Sequence, residues 1–325
     1  MKKKSKLGEI MARWGIIIAV VIAFILFSIL APKAFFNVSN FATILQSISI
    51  TTVIALGATV GFATGLFDIS FATLATLGAA FGATFIAWFG LPAPLAVILA
   101  ILCCMLVGVV NTIVVVKFNV NSFLATLAMQ FILGGIVLTY SGGSIINPRT
   151  ASASGRQIVA EIPQWFTNIG KSPYIIIIMF VCVAVVEFFL NQTKHGRIMY
   201  TVGANQQAAK LTGINVGKYI LMAFLITDVF SCIAGFMIVG QAGTVQSTAG
   251  DGFLMPAIAA ANIGYSFAGR GKANALGTFF GAALIGIVEN GLYAMAFPYY
   301  SINIVKGVIL LIALVMSGLS TKKVD

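Results

Sequence analysis

The sequence predicts an all-α polytopic membrane protein of about ten transmembrane helices, on three observations. Apolar residues make up 60% of the 325 and charged residues only 8%, whereas a soluble domain carries about 25% charged residues. The apolar residues fall in uninterrupted runs such as Trp14–Ala31 and Tyr174–Leu190, close to the roughly 20 residues that cross a hydrocarbon core. The basic residues lie between those runs and not along one wetted face, so the net charge of +11 does not point to nucleic acid.

Taken in order, the chain opens with Met1-Lys-Lys-Lys-Ser-Lys6, which imitates the basic start of a signal peptide. The following run is long and no small-residue cleavage site stands out, so 14–31 is read as an uncleaved first span. Further spans are expected at 41–62, 70–89, 93–116, 119–140, 173–190, 219–240, 253–268, 273–291 and 301–317, all in one transmembrane domain, 1–325. With the N-terminus inside, 14 of the 19 basic residues fall on inner segments, Lys117, Lys194, Arg197, Lys210 and Lys218 among them. Lys33, Arg149, Arg156, Lys171 and Lys306 remain toward the outside. The positive-inside rule therefore selects two cytoplasmic termini, in keeping with an even span count.

Two polar segments interrupt the pattern. The outer one, 141–172, contains Pro148, Pro163 and Trp165 and reads either as a lid or partner-docking surface or as a solvated connector. The inner one, 191–218, is long and basic. Glycines recur every four residues at Gly57, Gly61 and Gly65, at Gly78 and Gly82, and at Gly277 and Gly281. That spacing predicts closely approaching helices and a packed bundle. Gly108-Val-Val-Asn111 and Gly286-Ile-Val-Glu289-Asn290 hint at two related halves.

Catalytic chemistry lacks its parts. His195 is the sole histidine and sits in the basic inner loop, so neither a His-based metal site nor a nucleophile–base pair is expected. Cys103, Cys104, Cys182 and Cys232 lie in or beside apolar runs, with no CxxC spacing, and read as small apolar fillers. Gly264-Tyr-Ser-Phe-Ala-Gly269 carries the two glycines of a phosphate loop, but Arg270 and Gly271 replace its Lys and Ser/Thr. Any ATP-driven step would need another subunit.

The inner segment reads His195-Gly-Arg-Ile-Met-Tyr-Thr-Val-Gly-Ala-Asn205-Gln-Gln-Ala-Ala-Lys-Leu-Thr-Gly213-Ile-Asn-Val216. A glycine turn, a short amphipathic helix over about Gln206–Leu211 and a glycine stop are expected. A helix so short cannot span and would offer a small knob at the membrane surface. This segment resembles the cytoplasmic coupling loop of ribose-type permeases, the monosaccharide branch of bacterial ABC importers. Gly65-Leu-Phe-Asp68-Ile-Ser70, Asn121-Ser-Phe-Leu-Ala-Thr-Leu127, Thr248-Ala-Gly-Asp-Gly-Phe253, Ala257-Ile-Ala-Ala260, Gly269-Arg-Gly271 and Gly277-Thr-Phe-Phe-Gly281 are similar to family motifs and follow in family order.

The resemblance implies a type II-like permease in the bacterial cytoplasmic (inner) membrane. A second permease subunit, as homo- or heterodimer, would pair with it, and an extracytoplasmic binding protein would deliver a small polar solute. A cytoplasmic ATPase, carrying ATP and Mg, would engage Gly203, Asn205, Gln206, Gln207, Ala208, Ala209, Leu211 and Gly213. This chain itself would bind no cofactor and be no enzyme. The cargo is expected to be a monosaccharide or related sugar, with nucleosides, autoinducer-type sugars and vitamins moved on similar scaffolds; an ion-coupled secondary carrier is the rival reading.

Departures from the family pattern supply pathway candidates. Asp228 falls where a small residue is usual, Glu289 where an Asn is usual, and Asn262 where an apolar residue is usual. An ionisable group at mid-bilayer is costly and marks a pathway or a partner. Asp228 and Glu289 either face a wet cavity or form polar contacts between helices, with Lys306 as a counter-charge to one of them. Asp68 and Ser70 stand where the helical pattern breaks, a feature that presents backbone groups to substrates. The expected pathway set is Asp68, Ser70, Asn111, Asp228, Asn262, Glu289 and Asn290.

Overall fold

The computed structural model describes residues 6–143, 145–147, 158–265 and 272–298 and a few positions between 301 and 311. Within these the chain is helical. Helices α1 (Lys6–Leu30), α3 (Val38–Ala63), α4 (Phe71–Ala87), α5 (Ala93–Thr112), α6 (Ser122–Ser141), α8 (Tyr174–Gln192), α11 (Val216–Ala242), α12 (Leu254–Tyr265) and α13 (Ala275–Ala294) build the bundle. Shorter helices α2 (Pro32–Phe35), α7 (Gln164–Asn168), α9 (Lys194–Ala204) and α10 (Gln206–Leu211) lie at its two ends. Six helices are long and apolar enough to cross a membrane, namely α3, α5 with its π-helical extension to Lys117, α6, α8, α11 and α13. Most of the run read as 301–317, the counter-charge Lys306 and most of the loop after Gly264 lie outside the described residues.

Side-chain caps set many boundaries. Asn37, Asn121, Thr193, Asn205, Asn215 and Asn274 each accept a hydrogen bond from a backbone amide in the first turn of α3, α6, α9, α10, α11 and α13. Such caps satisfy amide groups that a helix start leaves without an intrahelical acceptor. In an apolar sequence, where period gives little guidance, these polar residues punctuate the chain.

Small residues fix the helix contacts. Gly57 of α3 lies on Thr227 of α11, Gly78 and Gly82 of α4 lie on Cys232 and Phe236 of α11, and Gly281 of α13 lies on Ala260 of α12. The expected close packing is thus present, with one correction: Gly65 is not on the α3 face. The helix ends at Ala63, and Gly65 turns the chain at φ +74°, with its Cα against Gly203. Only a residue without Cβ takes that conformation without strain.

The same contacts give the directions. Matching Gly78 to Cys232 and Gly82 to Phe236 makes α4 and α11 run side by side in one direction. Asn40 meets Asn290, while Thr59 meets Thr278, so α3 and α13 are antiparallel. Two ends follow. One carries α9 and α10, the ends of α3 and α5 and the starts of α6 and α11. The other carries α7, the start of α3 and the ends of α11 and α13.

Two non-helical segments enter the bundle from opposite ends. Residues 64–70 leave the α10 end beside Gly203 and rise to Ser70, where α4 begins. Residues 243–250 leave the α7 end, pair with Ile146 through Val245, and descend until the Gly250 amide donates to Thr76 Oγ1 at 2.9 Å. There a 3₁₀ turn, Asp251–Phe253, opens α12. In register with α11, Thr73 and Thr76 stand beside about its middle, roughly 20 Å from either end at ~1.5 Å per residue. The span expected at 253–268 is therefore a short helix that starts deep inside, preceded by extended chain.

The inner segment also differs from its expected form. Gly196 is no turn but is buried within α9, pressed on the Phe189 and Leu190 carbonyls. Alpha-helix α9 buries Met199 and Val202 against the bundle, and Tyr200 Oη donates to the Ala273 carbonyl at 2.7 Å. A basic helix with one apolar stripe resembles a polar loop when only its charge is weighed.

Candidate translocation site and coupling surface

Of the seven pathway candidates, the structure gathers four. Ser70 Oγ and the Ser70 amide both donate to Asp68 Oδ1, at 2.7 and 2.8 Å. Asn111 Nδ2 donates to Ser70 Oγ at 3.4 Å. On α5, Gly108 lies one turn before Asn111, and the Asp228 carboxyl of α11 rests on its Cα side, where a Cβ would collide. All four residues are buried, Asp228 completely. Asp68 Oδ2, Asn111 Oδ1 and both Asp228 oxygens have no hydrogen-bond donor among the described residues. A buried acceptor without a donor is costly, so this polar cluster is held at a price in stability. It is enclosed where α4, α5 and α11 pack together.

Backbone order around the cluster comes from hydroxyls. Ser122 Oγ accepts from the Phe67 amide and Thr126 Oγ1 from the Ile69 amide, each at 3.2 Å. Non-helical backbone at membrane depth is tolerated where protein groups satisfy it. The Phe-Asp-Ile-Ser stretch is held that way.

The other three candidates lie apart. Asn290 and Asn40 exchange hydrogen bonds, Asn40 Nδ2 donating at 2.9 Å and Asn290 Nδ2 at 3.1 Å, and join α13 to α3 near the α7 end. Glu289 is half-buried beside that pair. Asn262 donates to the Ile258 carbonyl of its own helix at 2.9 Å. Sequence reasoning also missed Asp251, an exposed acid whose Oδ1 accepts from Thr73 Oγ1 at 3.4 Å. Its motif was visible, but an adjacent expected span start placed it at the surface.

At the α10 end, Asn205 Oδ1 accepts from the Ala208 amide at 2.9 Å and starts α10; Gly213 leaves it at φ +81°. Ala209 is buried and anchors the helix, while Gln206, Gln207, Ala208 and Lys210 are exposed and Leu211 is 90% exposed. Gly203 packs on Ala63 and Gly65, so the end of α9, from which α10 continues, rests directly on the start of the 64–70 segment that leads to Asp68.

A long apolar bundle with entering non-helical segments is transporter architecture, and comparison with known proteins agrees. The family described as "Branched-chain amino acid transport system / permease component" matches residues 40–314. The chain belongs to this family. It is 31% identical over 305 residues to the ribose import permease protein of Escherichia coli, covering 93% of this chain and 92% of that one. The ribose import permease protein of Haemophilus influenzae is 30% identical over 319 residues, 98% of this chain and 97% of its own. The fructose import permease protein of Rhizobium meliloti is 27% identical over 302 residues, 91% and 82% respectively. No solved structure matches. The protein is an integral, multi-pass membrane permease.

Proposed function

We propose that the chain is the permease subunit of an ATP-binding-cassette importer that moves a monosaccharide or related sugar. The observation that carries the reading is similarity over nearly the whole length to ribose import permeases. The exposed α10 follows α9, whose Gly203 is seated on the base of a segment that enters the bundle, and this supports a machine driven from outside itself. A cytoplasmic ATPase binding ATP and Mg docks on Gly203, Asn205, Gln206, Gln207, Ala208, Ala209, Leu211 and Gly213. An extracytoplasmic binding protein delivers the sugar at the α7 end, and a second permease copy or homologue completes the passage.

In this reading the chain crosses a bacterial inner membrane ten times with both termini cytoplasmic, because basic residues Lys117, Lys194, Arg197, Lys210 and Lys218 lie at the α10 end. The α4, α5 and α11 cluster of Asp68, Ser70, Asn111 and Asp228 belongs to the moving centre. Asn262, Glu289 and Asn290 are assigned to the second half of the same passage. ATP and sugar act by binding the inward- and outward-open states unequally.

Reconstitution decides it. The permease in proteoliposomes, with its ATPase inside and binding protein outside, takes up labelled D-ribose or D-fructose only when ATP is enclosed. Uptake by the permease alone under a proton or sodium gradient would instead identify an ion-coupled carrier.

A further inference from the structure

Asp251 stands apart from the other acids of the bundle. Asp68 and Asp228 are at comparable depth but buried. Asp251 and Gly252 are exposed, and Met255, one turn into α12, is 56% exposed. The depth follows from two contacts to the first turns of α4: the Gly250 amide on Thr76 Oγ1 and Asp251 Oδ1 on Thr73 Oγ1. Gly250 is pressed so closely on the Ala72 carbonyl that a Cβ would clash, which pins the turn in place.

Lipid cannot cover this face. An ionisable side chain at mid-bilayer turns toward protein or a water-filled space, and extended backbone at that depth lines a cavity or is buried in protein. The contact with Thr73, at 3.4 Å, is at the long limit of a hydrogen bond and engages one oxygen of a group able to accept about four. Among the described residues no other donor reaches the remaining lone pairs, which face an exposed surface.

We propose that Asp251, held from behind by Thr73, is a solute-contacting site of the translocation route, where the carboxylate accepts hydrogen bonds from neighbouring hydroxyls of a polyhydroxylated solute. Two adjacent hydroxyls match the paired oxygens of a carboxylate, and Thr73, itself buried, orients that carboxylate by donating to its Oδ1. The proposal rests on the importer reading above and names the contact point within it.

The test uses the assembled permease, ATPase and binding protein in proteoliposomes. An Asp251→Cys variant, with labelling of the parent chain subtracted, is treated with a small charged methanethiosulfonate that does not cross bilayers. Phe131→Cys, on an exposed apolar face of α6, is the lipid control. Asp251→Cys is expected to react, at a rate that differs between nucleotide-free and vanadate-trapped assemblies, while Phe131→Cys does not. In uptake of D-ribose or D-fructose, whichever the parent moves, Asp251→Asn is expected to raise KM by about tenfold, as loss of a charge-assisted contact implies. Failure of Asp251→Cys to react in either state would mean that this face is sealed by the second permease and would overturn the proposal, as would parental uptake by Asp251→Leu. Absence of uptake by the parent assembly sinks the importer reading instead, and the labelling result still decides whether Asp251 is wetted.

Discussion

Single hydroxyls hold the non-helical chain of this permease in place. Thr76 Oγ1 receives the Gly250 amide, while Thr126 and Ser122 receive the Ile69 and Phe67 amides. Thr76→Val keeps shape and removes the acceptor, so the amide is orphaned in a buried site. The expected loss is about 1–3 kcal/mol, read as a lower melting temperature of the detergent-solubilised protein, with Thr43→Val, exposed on α3, unchanged. Nothing in the sequence marks Thr76: a threonine in an alanine-rich helix reads as neutral filler, and its partner lies far along the chain. Asp68, Ser70 and Asn111 were legible because a helical pattern breaks there and an amide stands alone in an apolar run. Their convergence with Asp228 was not, because it depends on Gly108 allowing α11 to approach α5.

Among the elements, α10 was foreseen with the bounds it has, Gln206–Leu211, because Asn205 and Gly213 bracket it with a cap and a left-handed exit. Helix α9 was not, since its burial rests on the spacing of Met199 and Val202 within a basic stretch. The 243–250 segment escaped for another reason: Ser, Thr, Gly and Gln are loop residues by composition, and composition carries no depth. For α10 two outcomes separate fold from function. Asn205→Ala removes the cap and is expected to cost about 1 kcal/mol, seen as a small drop in melting temperature. Leu211→Asp leaves burial untouched, because the side chain is 90% exposed, but is expected to abolish co-purification of the ATPase and permease-stimulated ATP hydrolysis.

Over the whole molecule, α3 and α11 play matching parts in opposite directions. Each is a long helix, of 26 and 27 residues, followed by extended chain that re-enters the bundle and by a new helix that starts inside it, α4 after α3 and α12 after α11. Helix α11 packs on α4 and α5, and α3 packs on α12 and α13. The two similar motifs around Asn111 and Asn290 make different contacts, the first bonded to Ser70 inside the bundle and the second to Asn40 near the α7 end. Related halves of inverted topology are a recurring transporter plan, and a short motif match could only hint at it because inversion is invisible in a linear string.

That plan turns the two extended segments into a pair of clocks facing opposite compartments. The Phe67, Ile69 and Gly250 amides are held by side-chain hydroxyls and not by the ladder of a helix, so deuterium should reach them first whenever adjacent water arrives. Residues 244–250 are expected to exchange fastest when the passage opens toward the α7 end, and 65–70 when it opens toward the α10 end. Exchange mass spectrometry of nucleotide-free and vanadate-trapped assemblies should show the two rates trading places. Rates that rise and fall together would mean that both mouths breathe at once, and that the halves do not alternate.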